Sequence, residues 1–268
     1  MAIAKVGLGT VSVSKLILGG NPFSGFSHQT PERDDEMRHY YTTARIVETL
    51  VQAESLGINT FLGRADRHIS RILMEYWDQG GQIQWFAQTC TEFAPHTRGI
   101  ANAIRGGAAA CYIHGGQMDF WLAQGQTDSI RQCIDMIKEA GLPAGVAGHT
   151  TQVFEWAEEN LDLDFYMCCY YNPSRRDERA EHVSGMREYF APQDREAMVR
   201  LIAQLTRPVI HYKVFAAGRS DPAEAMGFVA QHLRPQDAVC IGVFTKDDPN
   251  MLAENVDLFE QSLRQAGK

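Results

Sequence analysis

Short apolar runs alternate with amphipathic segments along almost the whole chain. Eight of these runs read as strands: residues 16–20 (LILGG), 59–63 (NTFLG), 83–88 (IQWFAQ), 109–114 (AACYIH), 143–148 (PAGVAG), 164–171 (DFYMCCYY), 208–216 (PVIHYKVFA) and 238–244 (AVCIGVF). Helical periodicity fills the gaps. TARIVETLVQAESLG carries apolar residues at helical spacing and ends on Gly57, a C-cap signal. TDSIRQCIDMIKEAG repeats the design, with Thr127 or Asp128 as its N-cap and Gly141 closing it. DREAMVRLIAQLT and DPAEAMGFVAQHL follow, the second with proline in its first turn, and DDPNMLAENVDLFEQSLRQ is the last. Ahead of them all, AKVGLGTVSVSKL alternates polar and apolar positions around a central glycine and predicts a β-hairpin.

Strands that alternate with helices predict a parallel sheet, and eight of them predict a closed (β/α)8 TIM barrel forming one domain over residues 1–268. A doubly wound open sheet is the alternative, but no G-x-G-x-x-G opens a helix after the first strand. Two connections are long: residues 21–41 after the first barrel strand and 172–192 after the sixth. Both leave the C-terminal ends of strands, the catalytic face of such barrels, where long loops serve as lids. Phe23, Phe26, Tyr189 and Phe190 within them favour ordered loops that cover something.

Composition narrows the partners. The chain has 268 residues, 44% hydrophobic and 22% charged, with a net charge of -8. That balance excludes nucleic acid as a main partner, because phosphate backbones need a basic face. The six cysteines form no C-x-x-C pair and read as reduced core residues. No signal-peptide h-region and no run of 18 apolar residues is seen, so no membrane partner is expected and a cytoplasmic location is. A small molecule is the expected partner, and a homo-oligomer is compatible with the sequence.

The order of motifs resembles the aldo-keto reductase superfamily. Residues 8–20 are similar to its N-terminal hairpin, and Gly57–Asn59 to the "GIN" before its second strand. CYIH resembles its fourth strand, AGVAG its fifth, YYN the end of its sixth, HYKVFAAGR its seventh, and LAENVDLF its closing helix. The resemblance covers nearly the whole chain and implies a (β/α)8 barrel, a carbonyl or polyol substrate, and NADP or NAD as cofactor. It also implies a tetrad of Asp, Tyr, Lys and His. The matching positions here hold Leu62, Arg67, Cys90 and His114, so only the histidine survives. The Ser-Asn that holds the nicotinamide amide becomes Ala147-Gly148, and the Gln of the sixth strand becomes Cys168. Gly218, Arg219, Lys246, Glu254 and Asn255 remain as candidate cofactor-binding residues.

Polar residues at predicted strand ends carry the candidate chemistry. His114, Lys213 and Asp66 are the candidate acid–base residues, and Arg64, Asn21, Gln88, Tyr170 and His149 the candidate substrate contacts. Arg64 could anchor an anion. His211 and Lys213 lie two apart on one strand and are expected to face the same side. His114, His149 and His211 are candidate ligands for a divalent metal. Arg175 and Arg176, in the second long loop, read as solvated. Three readings stay open: a diverged oxidoreductase on a sugar-like or hydroxy-acid-like substrate with a non-standard site, a non-redox lyase, isomerase or hydrolase, and a catalytically silent binding protein.

Overall fold

The computed structural model describes residues 3–268. An antiparallel hairpin, β1 (Lys5–Leu8) and β2 (Val11–Ser14), comes first. Eight parallel strands then close on themselves: β3 (Leu16–Gly19), β4 (Thr60–Arg64), β5 (Gln84–Gln88), β6 (Ala110–Ile113), β7 (Ala144–Gly148), β8 (Phe165–Cys169), β9 (Val209–Tyr212) and β10 (Ala238–Gly242), with β10 pairing β3. This is the (β/α)8 barrel that the strand rhythm predicts.

The helices are α1 (Pro31–Tyr40), α2 (Thr43–Ser55), α3 (Arg67–Asp78), α4 (Thr97–Arg105), α5 (Gly115–Ala123), α6 (Thr127–Glu139), α7 (Thr151–Asn160), α8 (Pro192–Ile202), α9 (Pro222–His232) and α10 (Met251–Gln265). The N-cap of α6 is Gln126 rather than Thr127 or Asp128, and Asp128 instead sits in the first turn, where its charge complements the helix dipole.

Most strands are shorter than their apolar runs, β8 and β9 by the most. β8 stops at Cys169. β9 stops at Tyr212 because Lys213, Ala216 and Ala217 hold φ of 56°, 49° and 54°, left-handed values that end a strand. Val214 and Ala216 are still buried, so the run is apolar for packing rather than for pairing.

Alternate side chains fill the barrel: Ile17, Phe86, Tyr112, Phe165, Met167 and Ile210 form one core, plugged from below by Val6, Leu8 and Val13 of the hairpin. The opposite faces of the same strands pack against the helices in a larger core. All six cysteines are unpaired and buried. Among the described residues, no helix is long and apolar enough to cross a membrane.

The first long connection is not loop throughout. Thr30 accepts a hydrogen bond from the Arg33 amide and Pro31 opens α1, an added helix. α1 docks on the segment after β10: Arg33 pairs with Asp247, Lys246 with Glu36, and the Tyr41 hydroxyl donates to the Val243 carbonyl at 2.7 Å. Residues 170–191 contain no helix or strand and lie against the first connection. Ser184 donates to Asp34, which also accepts from the Ser27 amide at 2.8 Å, and the Phe26 and His182 rings meet edge-on. The two long connections therefore meet one another.

Candidate active site

Side-chain alternation decides what lines the mouth. Two residues above the inward-facing Leu62, Phe86, Tyr112, Ala147, Met167 and Ile210 come Arg64, Gln88, His114, His149, Cys169 and Tyr212. His114 caps α5. Its backbone N–H donates to Thr89 Oγ1 at 3.0 Å, and its Nδ1 accepts the Gly116 N–H at 3.1 Å. Burial, reinforced by His149, Arg176, Arg64 and Lys213, holds its pKa well below 6.5. A neutral ring whose Nδ1 accepts must carry its proton on Nε2.

His149 is the opposite tautomer. Its backbone N–H donates to Asp119 Oδ1 at 3.1 Å, and its Nδ1 to Asp119 Oδ2 at 2.6 Å. Burial lowers its pKa against the opposing pull of Asp119. Its Nε2 keeps a lone pair and has no hydrogen-bond partner among the described residues. The mouth thus holds one imidazole that donates and one that accepts. Gly115 makes room for them: a Cβ there would lie 2.9 Å from His149 Cε1 and 3.0 Å from the Tyr212 hydroxyl. Tyr212, whose phenol is pushed well above its ordinary 10 by burial, donates to the Gly148 carbonyl at 3.4 Å.

The second long connection adds a residue that the sequence reading treats as solvated. Arg175 is exposed and paired with Asp177, but Arg176 is only 5% exposed. Its Nη1 donates to the Glu181 carbonyl at 2.7 Å. Among the described residues, no carboxylate lies within ion-pair reach of it. Its positive charge adds to the lowering of the pKa of both His114 and His149. Its neighbour Arg175 has the same sequence signature, so nothing in the chain singled it out.

The remaining expected residues divide. Lys213 reaches the first connection, its Nζ 3.1 and 3.2 Å from the two ring nitrogens of His28, and burial lowers its pKa. Asn21 is at the rim, with Nδ2 3.4 Å from His28 Nε2, and Gln88 is half-buried in the ring. Arg64 is held by two carboxylates, Asp66 at 2.9 Å and Glu92, so its charge is already matched. Asp66 is itself the N-cap of α3, accepting from the Ile69 amide at 2.9 Å, which leaves both its oxygens engaged in structure.

Three expectations are corrected. His211 does not face the side Lys213 serves: it is fully buried behind the sheet, where Nε2 donates to Asp237 at 3.2 Å and Nδ1 accepts from Tyr170 at 3.0 Å. Lys213 escapes that side through its left-handed backbone. Tyr170 goes with His211, so neither reaches the mouth, and the three strand-end histidines do not converge on one point.

The positions implied for the tetrad and for a nicotinamide cofactor are held by other contacts. Leu62 belongs to the barrel core, Arg67 is exposed on α3, and the Cys90 thiol is buried, its pKa raised to about 12. Arg219 donates to the His28 carbonyl at 2.8 Å and stacks over Phe190, and Lys246 pairs with Glu36 at 2.6 Å. Gly218 is exposed, with Gln29 Nε2 3.2 Å from where a Cβ would stand. Glu254 is exposed and Asn255 buried in α10. The cationic groups left for a phosphate are spent on α1 and the loops.

No family model matches the chain, and no curated protein matches its sequence. Solved structures do. A Pseudomonas aeruginosa protein assigned as an aldo-keto reductase matches at TM-score 0.64 and 18% identity, over 97% of this chain and 96% of that one. The aldo-keto reductase AKR11C1 of Bacillus halodurans, in its holo form, matches at 0.63 and 12%, over 99% and 96%. Phospho-2-dehydro-3-deoxyheptonate aldolase of Thermotoga maritima matches at 0.55 and 12%, over 98% and 72%. At these identities the likeness shows the fold alone, a (β/α)8 barrel.

Proposed function

We propose that this protein is an enzyme that moves protons on a small carbonyl or hydroxy-carbonyl substrate bearing an anionic group. The observation that carries the reading is the opposite tautomers of His114 and His149. His114 Nε2–H is placed to hold a carbonyl oxygen, where negative charge develops. His149 Nε2, oriented by Asp119, is the base for a proton on the neighbouring carbon or hydroxyl. Arg176, a buried guanidinium without a carboxylate, calls for an anion, which a carboxylate or phosphate on the substrate supplies. A sugar-acid or sugar-phosphate class meets these demands.

The fold supports carbonyl chemistry of more than one kind, since its structural neighbours include both reductases and an aldolase. A nicotinamide-dependent reductase is the second reading, favoured by the holo form of one neighbour. One experiment separates the two. Hydroxy-carbonyl acids and sugar phosphates are incubated with the protein in deuterium oxide, without cofactor, and proton NMR follows exchange beside the carbonyl. Exchange on at least one compound is expected. No exchange, together with NADPH oxidation on the same compounds, would replace this reading with the second. Neither signal would leave a binding protein.

A further inference from the structure

We propose that His28, His182 and Glu188 form a binding site for one divalent transition-metal ion, which clamps the two long connections together over the barrel mouth. His28 comes from the connection after β3, and His182 and Glu188 from the connection after β8. One donor atom from each lies within 4.8 Å of the others. His28 Nδ1 is 3.0 Å from either Glu188 oxygen, and His182 Nδ1 is 3.4 Å from Glu188 Oε1. A tetrahedral zinc site with bonds of about 2.0–2.1 Å has donor–donor edges of roughly 3.3–3.4 Å. The two histidine–glutamate edges, at 3.0 and 3.4 Å, stand near that spacing.

Three features point to a ligand rather than to a closed hydrogen-bond cluster. Glu188 is a carboxylate only 1% exposed, and each histidine side chain is 11% exposed. His182 Nδ1 is buried without a hydrogen bond of adequate geometry, an orphan that a metal would satisfy. His28 adopts a left-handed φ of 57° to present its ring, a conformation kept only where the surroundings demand it.

Lys213 does not occupy the place of the ion. Its Nζ is equally close to both nitrogens of the His28 ring, which puts it over the ring face and along neither lone pair. Two histidines and one carboxylate suit zinc, iron(II) or cobalt(II), and leave a coordination position for water or substrate oxygen.

The inference stands apart from the proton-transfer reading, because its ligands are on the loops and not on the His114–His149 pair. The chelator-stripped full chain is titrated with cobalt(II), followed by its visible absorption, and then with zinc to displace it. One ion per chain is expected. Glu188→Gln and His182→Ala should each weaken binding by about tenfold or more, and His28→Ala, on the other connection, should do the same. His149→Gln should leave the affinity unchanged. Bound cobalt should also slow tryptic cleavage within residues 172–191 of the unmutated protein, a readout that needs no variant to fold. Absence of stoichiometric uptake, uptake that survives the ligand variants, or uptake without protection of that segment would each overturn the site.

Discussion

His149 with Asp119 and His211 with Asp237 are the same pair of side chains in two settings. Both are buried, and both hold an imidazole of lowered pKa against an aspartate side chain. They differ in what the second ring nitrogen meets. His211 gives Nε2–H to Asp237 and takes the Tyr170 hydroxyl on Nδ1, so every polar atom of the ring is satisfied. Asp237 is anchored further by Arg234 at 2.7 Å and by the Val209 amide at 2.8 Å. His149 gives Nδ1–H to Asp119 and leaves Nε2 facing the mouth. A carboxylate-held histidine becomes a base only when its far nitrogen has nothing of its own to bind. The first pair has that vacancy, and the second is a structural tie between β9 and the turn before β10.

The largest test of this contrast is His149→Gln. Loss of the base should lower solvent-exchange activity by about 10²–10⁴-fold, with little change in the urea midpoint. His211→Gln should do the reverse, with activity per folded molecule retained. Should both variants lose activity equally, the division between the pairs would fall.

Asp237→Ala comes next. It strands the Val209 amide and the His211 Nε2–H inside the protein and leaves the part-buried Arg234 guanidinium with only the Leu205 and Arg207 carbonyls. Breaking a buried charged network by removing one partner costs about 3–5 kcal/mol. Chemical denaturation should show a loss of that size, and a change below about 1 kcal/mol would mean that the network contributes little.

The pairs should also report acid in different observables. Asp237 is held below its ordinary 3.8 by hydrogen bonds from His211 and Arg234, against an opposing burial penalty, and His211 is held below its ordinary 6.5 chiefly by burial. In both cases the unfolded chain takes up the proton first. Their contribution to stability is therefore complete above about pH 6.5 and declines as acid is added, through the histidine range and then below the aspartate value. His149 moves the rate instead: protonation of Nε2 removes the base, so activity should fall on the acid side, with its midpoint below 6.5. His211→Gln should flatten the stability profile and leave the acid limb of the rate in place.

The contrast marks what the chain discloses. The strand rhythm read as a barrel because parallel strands buried on both faces are continuous apolar runs, and β3 to β10 fall inside the runs identified apart from Arg64 at the end of β4. His114 was legible because it ends such a run. His149 and Asp119 were not legible as a pair, since helix α5 brings together residues 30 apart in sequence. Lys213 was expected to share a side with His211 because the apolar run from 208 to 216 hid the left-handed turn at Lys213, and Tyr170 was misplaced because it continues the helix-facing side of β8 with Tyr166 and Cys168. His28, His182 and Glu188 sit in segments without periodicity, where only the meeting of two connections gives them a common purpose.

The smallest expected effect is the sharpest on Tyr170, which strand-end position alone would place among substrate contacts. Tyr170→Phe removes one hydroxyl and keeps the ring that packs edge-on against Phe228 at 5.9 Å. It leaves His211 Nδ1 buried without a donor, a cost of about 1–3 kcal/mol. The urea midpoint should fall accordingly, while exchange activity and its dependence on substrate concentration stay at wild-type values. Because His211 would then lack one partner and still hold Asp237, the loss should be smaller than in Asp237→Ala. A variant with unchanged stability and weakened substrate saturation would put Tyr170 at the mouth and undo the assignment of this pair to structure.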